Sequence, residues 1–310
     1  ELEFRRIFSN HFTITAAFLE IKHKGTILIN HGYIEAGDLD LESEGEINLE
    51  GRGYEAGTGP GAGVGSAGGS YGGQAGGSLS IKAYGSVFTP LELGSGGGDG
   101  AGGGFVNLKV GRSLHIDGYV SVLGANASAS NSGGGSGGSI LVQAYNFSGH
   151  GTLDASGGRG LGNGGGGSGG RIATLIGHQN NFGGQYLAHG GYSSSGPGGP
   201  GTVYKYESRR GPTYRELKYN PRLNITEIKP EHSKLTVENS DLTTSNPAVV
   251  MEENSLYYEF DEVQVEGYSY VHFYHPSGAD RVNVIIHELT GNEKGMVRVQ
   301  DRQQVLIHFV

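Results

Sequence analysis

The acidic residues of the glycine-rich part of the chain are the first candidates for chemistry. They are sparse, chiefly Asp99, Asp117 and Asp154. A polysaccharide hydrolase needs two or three carboxyl groups beside an open groove, one to donate a proton and one to activate water or attack the sugar. Asp117 and Asp154 occupy comparable places after the second predicted strand of successive sequence units. Stacking of the two carboxyl groups is one interpretation, and turn positions are an equally good one. The sequence therefore favours a protein that is not an enzyme, with no catalytic residue, cofactor or metal site assigned.

A second acidic group lies between residues 35 and 50, where carboxylates alternate with apolar residues. Period-two alternation places the apolar side chains on one face of the sheet, towards the core, and the carboxylates on the other face. The row of acids is then either a solvated face, which also discourages pairing with other proteins, or a Ca²⁺-binding strip. Alternating carboxylates on strands do not by themselves converge as Ca²⁺ requires, so the solvated face is favoured. The residues predicted inside are Leu39, Leu41, Ile47 and Leu49.

Runs of glycine that lead directly into strand-like sequence organise the rest of the chain. Gly133–Gly138 precedes Ser139–Ala144, and Gly164–Gly170 precedes Arg171–Ile176. Two further glycine runs of this kind end at Gly104 and at Gly201. Measured between the last glycines of the four runs, at positions 104, 138, 170 and 201, the periods are 34, 32 and 31 residues. Periods of this size indicate stacked structural units.

Each unit contains a second short apolar stretch, which is predicted within 113–122, 147–153 and 182–188. Two strands and a glycine loop leave no room for a crossover helix. The sequence therefore predicts an all-β fold, a parallel β-helix (β-solenoid) with long glycine-rich loops.

The glycine loops are expected to be ordered rather than to act as flexible linkers. Ordering glycine is costly, so nearly every loop amide must be hydrogen-bonded, to the next loop or in extended layers where only glycine permits close approach. A Gly→Val change at Gly135 or Gly166 should then clash with the neighbouring unit.

Composition divides the chain into three parts. Residues 1–50 are predicted to form N-terminal solenoid coils, and residues 51–208 the glycine-rich repeats. Arg209–Pro212 marks a boundary, and residues 209–310 alternate again as strands. This C-terminal region either continues the solenoid, which is the favoured alternative, or forms a small β-sandwich.

Net charge and composition exclude some classes of partner. The chain has 310 residues, 60 of them glycine, no cysteine, and a net charge of -9 without a cluster of Lys and Arg. This argues against binding nucleic acid and against insertion into a membrane. The chain does not begin with Met and is expected to be a mature form or a fragment. Its sequons make Asn126, Asn146 and Asn224 candidates for N-glycosylation.

Several glycine motifs carry a resemblance to known proteins. They are Gly57–Gly63, Gly68–Gly73, Leu93–Gly98, Gly135–Ile140 and Gly167–Ala173. They resemble the glycine-rich β-solenoid repeat regions of large eukaryotic extracellular and cell-surface proteins, well over residues 34–206 and loosely beyond. The resemblance implies a secreted or cell-surface location and a structural or adhesive role, and it brings no catalytic residues with it.

The two ends of the chain have strand character and no recognisable cap. Uncovered terminal strands recruit other strands, so Phe4, Phe8, Leu306 and Phe309 are candidates for an end-to-end interface. The favoured function is a structural extracellular protein whose units join head to tail, in a filament or within a giant chain. The alternative is a carbohydrate-binding or adhesion module, in which exposed tyrosines stack on sugars: Tyr71, Tyr84, Tyr192 and Tyr204.

Overall fold

The computed structural model describes residues 12–78, 82–208, 232–240, 242–252, 255, 257–274, 281–292, 294–299 and 304–309. Their regular elements are β-strands, arranged in three sheets. Among the described residues there is no helix long and apolar enough to cross a membrane. The prediction of an all-β fold with parallel strands is confirmed.

Ten strands form one large sheet, and each strand of this sheet is hydrogen-bonded to the next. In spatial order they are β1 (Phe12–Ile21), β3 (His31–Leu41), β5 (Phe105–Ile116), β7 (Ser139–Gly149), β9 (Arg171–Phe182), β11 (Thr202–Glu207), β12 (Ser233–Val237), β14 (Tyr257–Val265), β16 (Arg281–Gly291) and β18 (Gln304–Phe309).

Two smaller sheets contain the remaining strands. The five-stranded sheet has the order β10 (Gln185–Leu187), β8 (Thr152–Asp154), β6 (Tyr119–Ser121), β4 (Glu46–Asn48) and β2 (Thr26–Leu28). The three-stranded sheet has the order β13 (Ala248–Val250), β15 (Tyr270–Phe273) and β17 (Met296–Val299).

The N-terminal half of the chain alternates between the large sheet and the five-stranded sheet. Successive strands of the five-stranded sheet are parallel, and equivalent residues lie beside one another. Apolar side chains therefore form rows across the strands. One row of the five-stranded sheet contains Ile27, Ile47, Val120 and Leu153, which are nearly or completely buried. Leu39, Leu41, Ile47 and Leu49 all lie inside, as the alternation predicts.

The strands of each unit differ in length from the prediction. The first strand is long, since β5 continues to Ile116 and β7 to Gly149. The second strand has only three residues in each of these units, as in β6 and β8. The apolar stretches at 113–122 and 147–153 therefore include the end of one strand, a turn at a glycine and the start of the next.

The large sheet changes direction once, between β11 and β12. These two strands are antiparallel, whereas every other neighbouring pair of the large sheet is parallel. Val203 packs in the core under the five-stranded sheet, and the adjacent Tyr204 packs with Leu235 in the core that includes the three-stranded sheet. Because successive residues of a strand point to opposite faces, the two small sheets cover opposite faces of the large sheet.

The C-terminal strands extend the large sheet beyond β11. From β12 onward the chain again alternates, now between the large sheet and the three-stranded sheet. The predicted boundary at Arg209–Pro212 lies outside the described residues.

The glycine segments between the strands are ordered and bonded to one another. Gly69 N donates to Gly134 O (2.9 Å), Gly134 N to Gly165 O (3.1 Å) and Gly166 N to Gly196 O (3.0 Å). A Cβ on Gly135 would lie 1.9 Å from Ala101 O, and one on Gly166 would lie 1.9 Å from Gly191 O. The prediction that a side chain at either position clashes is therefore confirmed by the geometry.

Serines placed within the glycine runs complete this network. Ser95, Ser136 and Ser168 are fully buried. The Ser136 hydroxyl accepts the Ser95 N–H (2.8 Å), and the Ser168 hydroxyl accepts the Tyr71 N–H (2.9 Å). A hydroxyl on a small side chain thus satisfies amides of the neighbouring segment without separating the two backbones.

Candidate functional site

A groove lies where the chain leaves the five-stranded sheet and enters the glycine segments. Four of the five strands of this sheet are each followed, within a few residues, by a residue that lines the groove: Glu50 follows β4, Asn126 follows β6, Arg159 follows β8, and Tyr192 follows β10. Backbone bonds between the segments hold these positions together, such as Gly157 N to His189 O (2.8 Å). We call this the Tyr192 groove, and its cavity volume is about 340 Å³.

The lining of the Tyr192 groove combines one aromatic ring with polar groups. Tyr192 is 54% exposed, so its ring is available to a ligand. The Asn126 amide oxygen accepts the Arg159 N–H (2.7 Å), and His189 contacts Glu238 (3.0 Å). This pairing lowers the pKa of Glu238, because the His189 hydrogen bond stabilises the carboxylate.

Two neighbouring carboxyl groups have raised pKa values, and one of them, Glu50, lines the groove. Burial raises the pKa of Asp154, whose carboxylate accepts the Ser156 N–H (2.8 Å). Burial also raises the pKa of Glu50, and the charges of Glu46 and Asp154 raise it further. Such groups retain a proton to a higher pH than ordinary carboxyl groups do.

Asp117 and Asp154 do not stack, so the first of the two interpretations is wrong. Asp154 lies in β8 beside Ser121 and Leu187 in the register, whereas Asp117 comes between β5 and β6. Asp117 contacts His115 (3.1 Å) and accepts the His150 N–H (2.8 Å), and these contacts lower its pKa, with the His150 hydrogen bond the main cause. The apolar stretch before Asp117 belongs to the first strand of its unit, which is why the two positions are not equivalent.

Asp99 has a local role. Its carboxylate accepts the N–H and the hydroxyl of Ser128 and the N–H of Ala129, each at 2.7 Å. These hydrogen bonds lower its pKa, with the Ser128 side chain the main cause. The three acids therefore serve different parts of the fold.

Two members of the acidic row at residues 35–50 are paired with basic residues of the next strand of the large sheet. Asp38 binds the Arg112 guanidinium and the Ser113 N–H, and Glu35 contacts Lys109 (3.3 Å). Among the described residues, no group of three or more His, Asp or Glu is arranged to hold a metal ion. The contacts favour the solvated, ion-paired face over the Ca²⁺ strip.

Most of the tyrosines predicted to stack on sugars are not available. Tyr71 is fully buried, Tyr204 is 6% exposed, and Tyr84 is partly buried with its hydroxyl bonded to Leu93 O (2.6 Å). Those three assignments are wrong, because the residues pack over the large sheet instead of covering loops. Tyr192 is the member of the set that is exposed.

The remaining predicted site residues are placed as follows. Asn126 is exposed, and Asn146 lies partly buried in β7 with its amide oxygen 3.1 Å from His178 Nδ1. Leu306 and Phe309 lie in β18, which forms an edge of the large sheet among the described residues. Phe4, Phe8 and Asn224 lie outside the described residues.

Arg159 and His189 were not predicted as site residues from the sequence, and Glu50 was considered only as part of the acidic row at residues 35–50. A signal was available, since each of the three follows the short second strand of its unit by two to five residues. The predicted apolar stretches end within one residue of these strands, but the proximity of the residues that follow depends on the register between strands.

Comparisons with protein-family models, curated proteins and solved structures find no match to the chain.

Proposed function

We propose that this chain is a β-solenoid building block of an extracellular structural protein, joined end to end with further units. The support for a solenoid is the alternation of the chain between two sheets in parallel register, with apolar rows running across the strands. The glycine segments bonded to one another would form a second layered stack beside the sheets. This construction suits a load-bearing or scaffolding role.

The main support for end-to-end joining is the partial burial of β1, the first strand of the described part of the chain and an edge of the large sheet there. Its inward residues Ile14 and Leu19 pack against the core and are only partly buried. One strand further in, Ile34 and Leu39 are 0% and 1% exposed. A second unit placed against β1 would remove this apolar surface from water and pair the strand edge.

The direction of the strands predicts how two units would meet. Because the large sheet reverses direction once, β18 runs antiparallel to β1. A unit translated along the sheet would therefore bring its β1 beside β18 of the first unit in antiparallel orientation. The β11–β12 pair shows the same antiparallel pairing within one chain. In both cases the smaller sheet that covers the core lies on opposite faces of the large sheet before and after the antiparallel pair. The contact is heterologous, so it repeats without closing.

The test is the concentration dependence of the sedimentation coefficient of the purified chain. Ile14→Asp places a charge in the partly buried row, and Thr15→Asp places the same charge on the exposed face of the same strand. We expect the wild type and Thr15→Asp to form growing oligomers, and Ile14→Asp to remain monomeric. A wild-type chain that remains monomeric at all concentrations contradicts the proposal.

The Tyr192 groove supports a second candidate function, glycan binding. An exposed ring bordered by amide, imidazole and guanidinium groups provides both a stacking surface and hydrogen-bond partners for a sugar. The test is a glycan array with Tyr192→Ala, and with Tyr119→Ala as the control because Tyr119 is equally exposed on another face. Binding that is lost only with Tyr192→Ala supports this function, and binding that survives Tyr192→Ala contradicts it.

A further inference from the structure

The core under the five-stranded sheet ends in charged residues. The five-stranded sheet stops at β10, whereas the large sheet continues through β11 to β18. One inward row of the large sheet therefore passes from apolar to polar and then to charged side chains. In register across β7, β9, β11, β12 and β14, its members are Val142, Thr174, Lys205, Lys234 and Glu262.

Lys205 lies at this end of the core over an aromatic ring. Its Nζ is 3.7 Å from the centre of the Tyr186 ring, a cation–π contact. The neighbouring Lys234 is paired with Glu262 (2.8 Å), but no described carboxylate forms an ion pair with Lys205. The buried Tyr186 hydroxyl also has no hydrogen-bond partner among the described groups.

These groups line a cavity of about 200 Å³. Thr236 and Gln264 form one wall, and the His189–Glu238 pair forms another, at 3.0 Å. The cavity shares His189 with the Tyr192 groove, so the two are adjacent.

The group in the cavity that a bound anion would stabilise is the Lys205 ammonium. Burial, and then the charge of Lys234, lower the pKa of Lys205 to about 8. The other charged groups around it are Glu207 on its own strand, Glu262 on β14, and the His189–Glu238 pair at the wall. An ammonium whose pKa is lowered by burial gains stability from any negative charge placed beside it.

We propose that the cavity lined by Tyr186, Lys205, Lys234, Thr236 and Gln264 binds a carboxylate-bearing ligand. A carboxylate places one negative charge beside the Lys205 ammonium, which forms no ion pair with a described carboxylate. Its oxygens can accept hydrogen bonds from the Lys205 ammonium and the Tyr186 hydroxyl. The ligand is either a small free carboxylate or a uronic acid residue of an acidic polysaccharide.

The binding must depend on pH in a defined direction. A bound carboxylate favours the charged form of Lys205, so the pKa of Lys205 is higher in the complex than in the free protein. Affinity is then greatest below about pH 8 and falls as Lys205 of the free protein loses its proton. We expect at least about a tenfold loss of affinity from about pH 7 to about pH 10.

The experiment is an NMR titration of the intact ¹⁵N-labelled chain with sodium glucuronate, sodium acetate, glucose and oligogalacturonate. Lys205→Met should weaken carboxylate binding at least about tenfold, and Tyr186→Phe should weaken it by about threefold. Lys22→Met is the control, because the Lys22 side chain is 73% exposed, and it should bind as the wild type does. Glucose should not bind.

The probes distinguish the two sources of the carboxylate. Equal affinity for acetate and glucuronate identifies a site for small carboxylates, and tighter binding of oligogalacturonate identifies a polysaccharide. No binding of any carboxylate, or equal binding by Lys205→Met, overturns the proposal. If Lys205→Met does not fold, a wild-type affinity that is unchanged from about pH 7 to about pH 10 overturns it instead.

Discussion

The guanidinium of Arg171 lies 5.4 Å from the centre of the Tyr71 ring, and both side chains are fully buried. Arg171 also donates to Tyr84 O (3.0 Å) and to the Thr202 hydroxyl (3.2 Å). The contact joins the first strand position after a glycine run to a tyrosine within the longest glycine segment. The contact between Arg171 and Tyr71 therefore holds the longest glycine segment against the large sheet.

Removing Arg171 should destabilise the protein strongly. Arg171→Ala leaves a cavity and unpaired polar groups, so we expect a loss of about 3 kcal/mol in the free energy of unfolding. Arg112→Ala is the matched control, because Arg112 is exposed and pairs with Asp38 on the surface, where ion pairs contribute little. Denaturation with guanidinium chloride measures both, and equal effects would contradict the role of Arg171.

The glycine layers should reject a single methyl group. In Gly135→Ala the added Cβ would lie 1.9 Å from Ala101 O, so we expect a loss of about 3 kcal/mol or a failure to fold. Gly111→Ala is the control, since the nearest atom to its Cβ is Ala36 O at 3.9 Å. It should leave the denaturation midpoint unchanged or slightly raised. A Gly135→Ala protein as stable as Gly111→Ala would show that the layers are loosely packed.

Two aspartates should respond to pH with opposite signs. Burial raises the pKa of Asp154 above 3.8, so its ionisation costs stability as the pH rises from 3.8 through the folded pKa. Asp154→Asn should therefore increase the free energy of unfolding at neutral pH and give no gain below pH 3.8.

The contribution of Asp117 follows the opposite course. Its pKa is lowered below 3.8, so its stabilisation is present above that pH and is lost as the pH falls through the folded pKa. Asp117→Asn should reduce stability at neutral pH and approach the wild type in acid. Denaturation midpoints between acid and neutral pH measure both variants, and differences of the same sign would contradict these assignments.

The predicted N-glycosylation can be tested at Asn126. This residue is exposed, and its neighbour Ser128 supplies the hydroxyl of the sequon. When the chain is secreted from a eukaryotic host, we expect a glycan on Asn126, seen as a mass increase that Asn126→Gln removes. A secreted wild-type chain without a glycan at Asn126 would contradict the prediction.

The strand units were predictable because glycine runs and apolar alternation repeat together. The change of core face was not predicted, although Ile140–Leu141–Val142 is a continuous apolar run, which is typical of a strand buried on both faces. The burial of Tyr71 had no local signal, since glycines surround it and no periodicity assigns its side chain to a face. The burial of Arg171 could not be predicted either, because the residues that contact it are distant in the sequence.

The site was less predictable than the fold. Tyr192 was identified from its type, but its neighbours in the groove come from successive units, and their proximity depends on the register between strands. Lys205 lies in an alternating strand that resembles any other, and its position at the end of a core depends on where the five-stranded sheet stops.

Cryo-electron microscopy of the purified chain at high concentration tests the central proposal most directly. The account predicts filaments with an axial repeat of one unit, in which β18 of one copy pairs with β1 of the next in antiparallel orientation. Isolated monomers, or dimers that close without growing, would contradict end-to-end assembly.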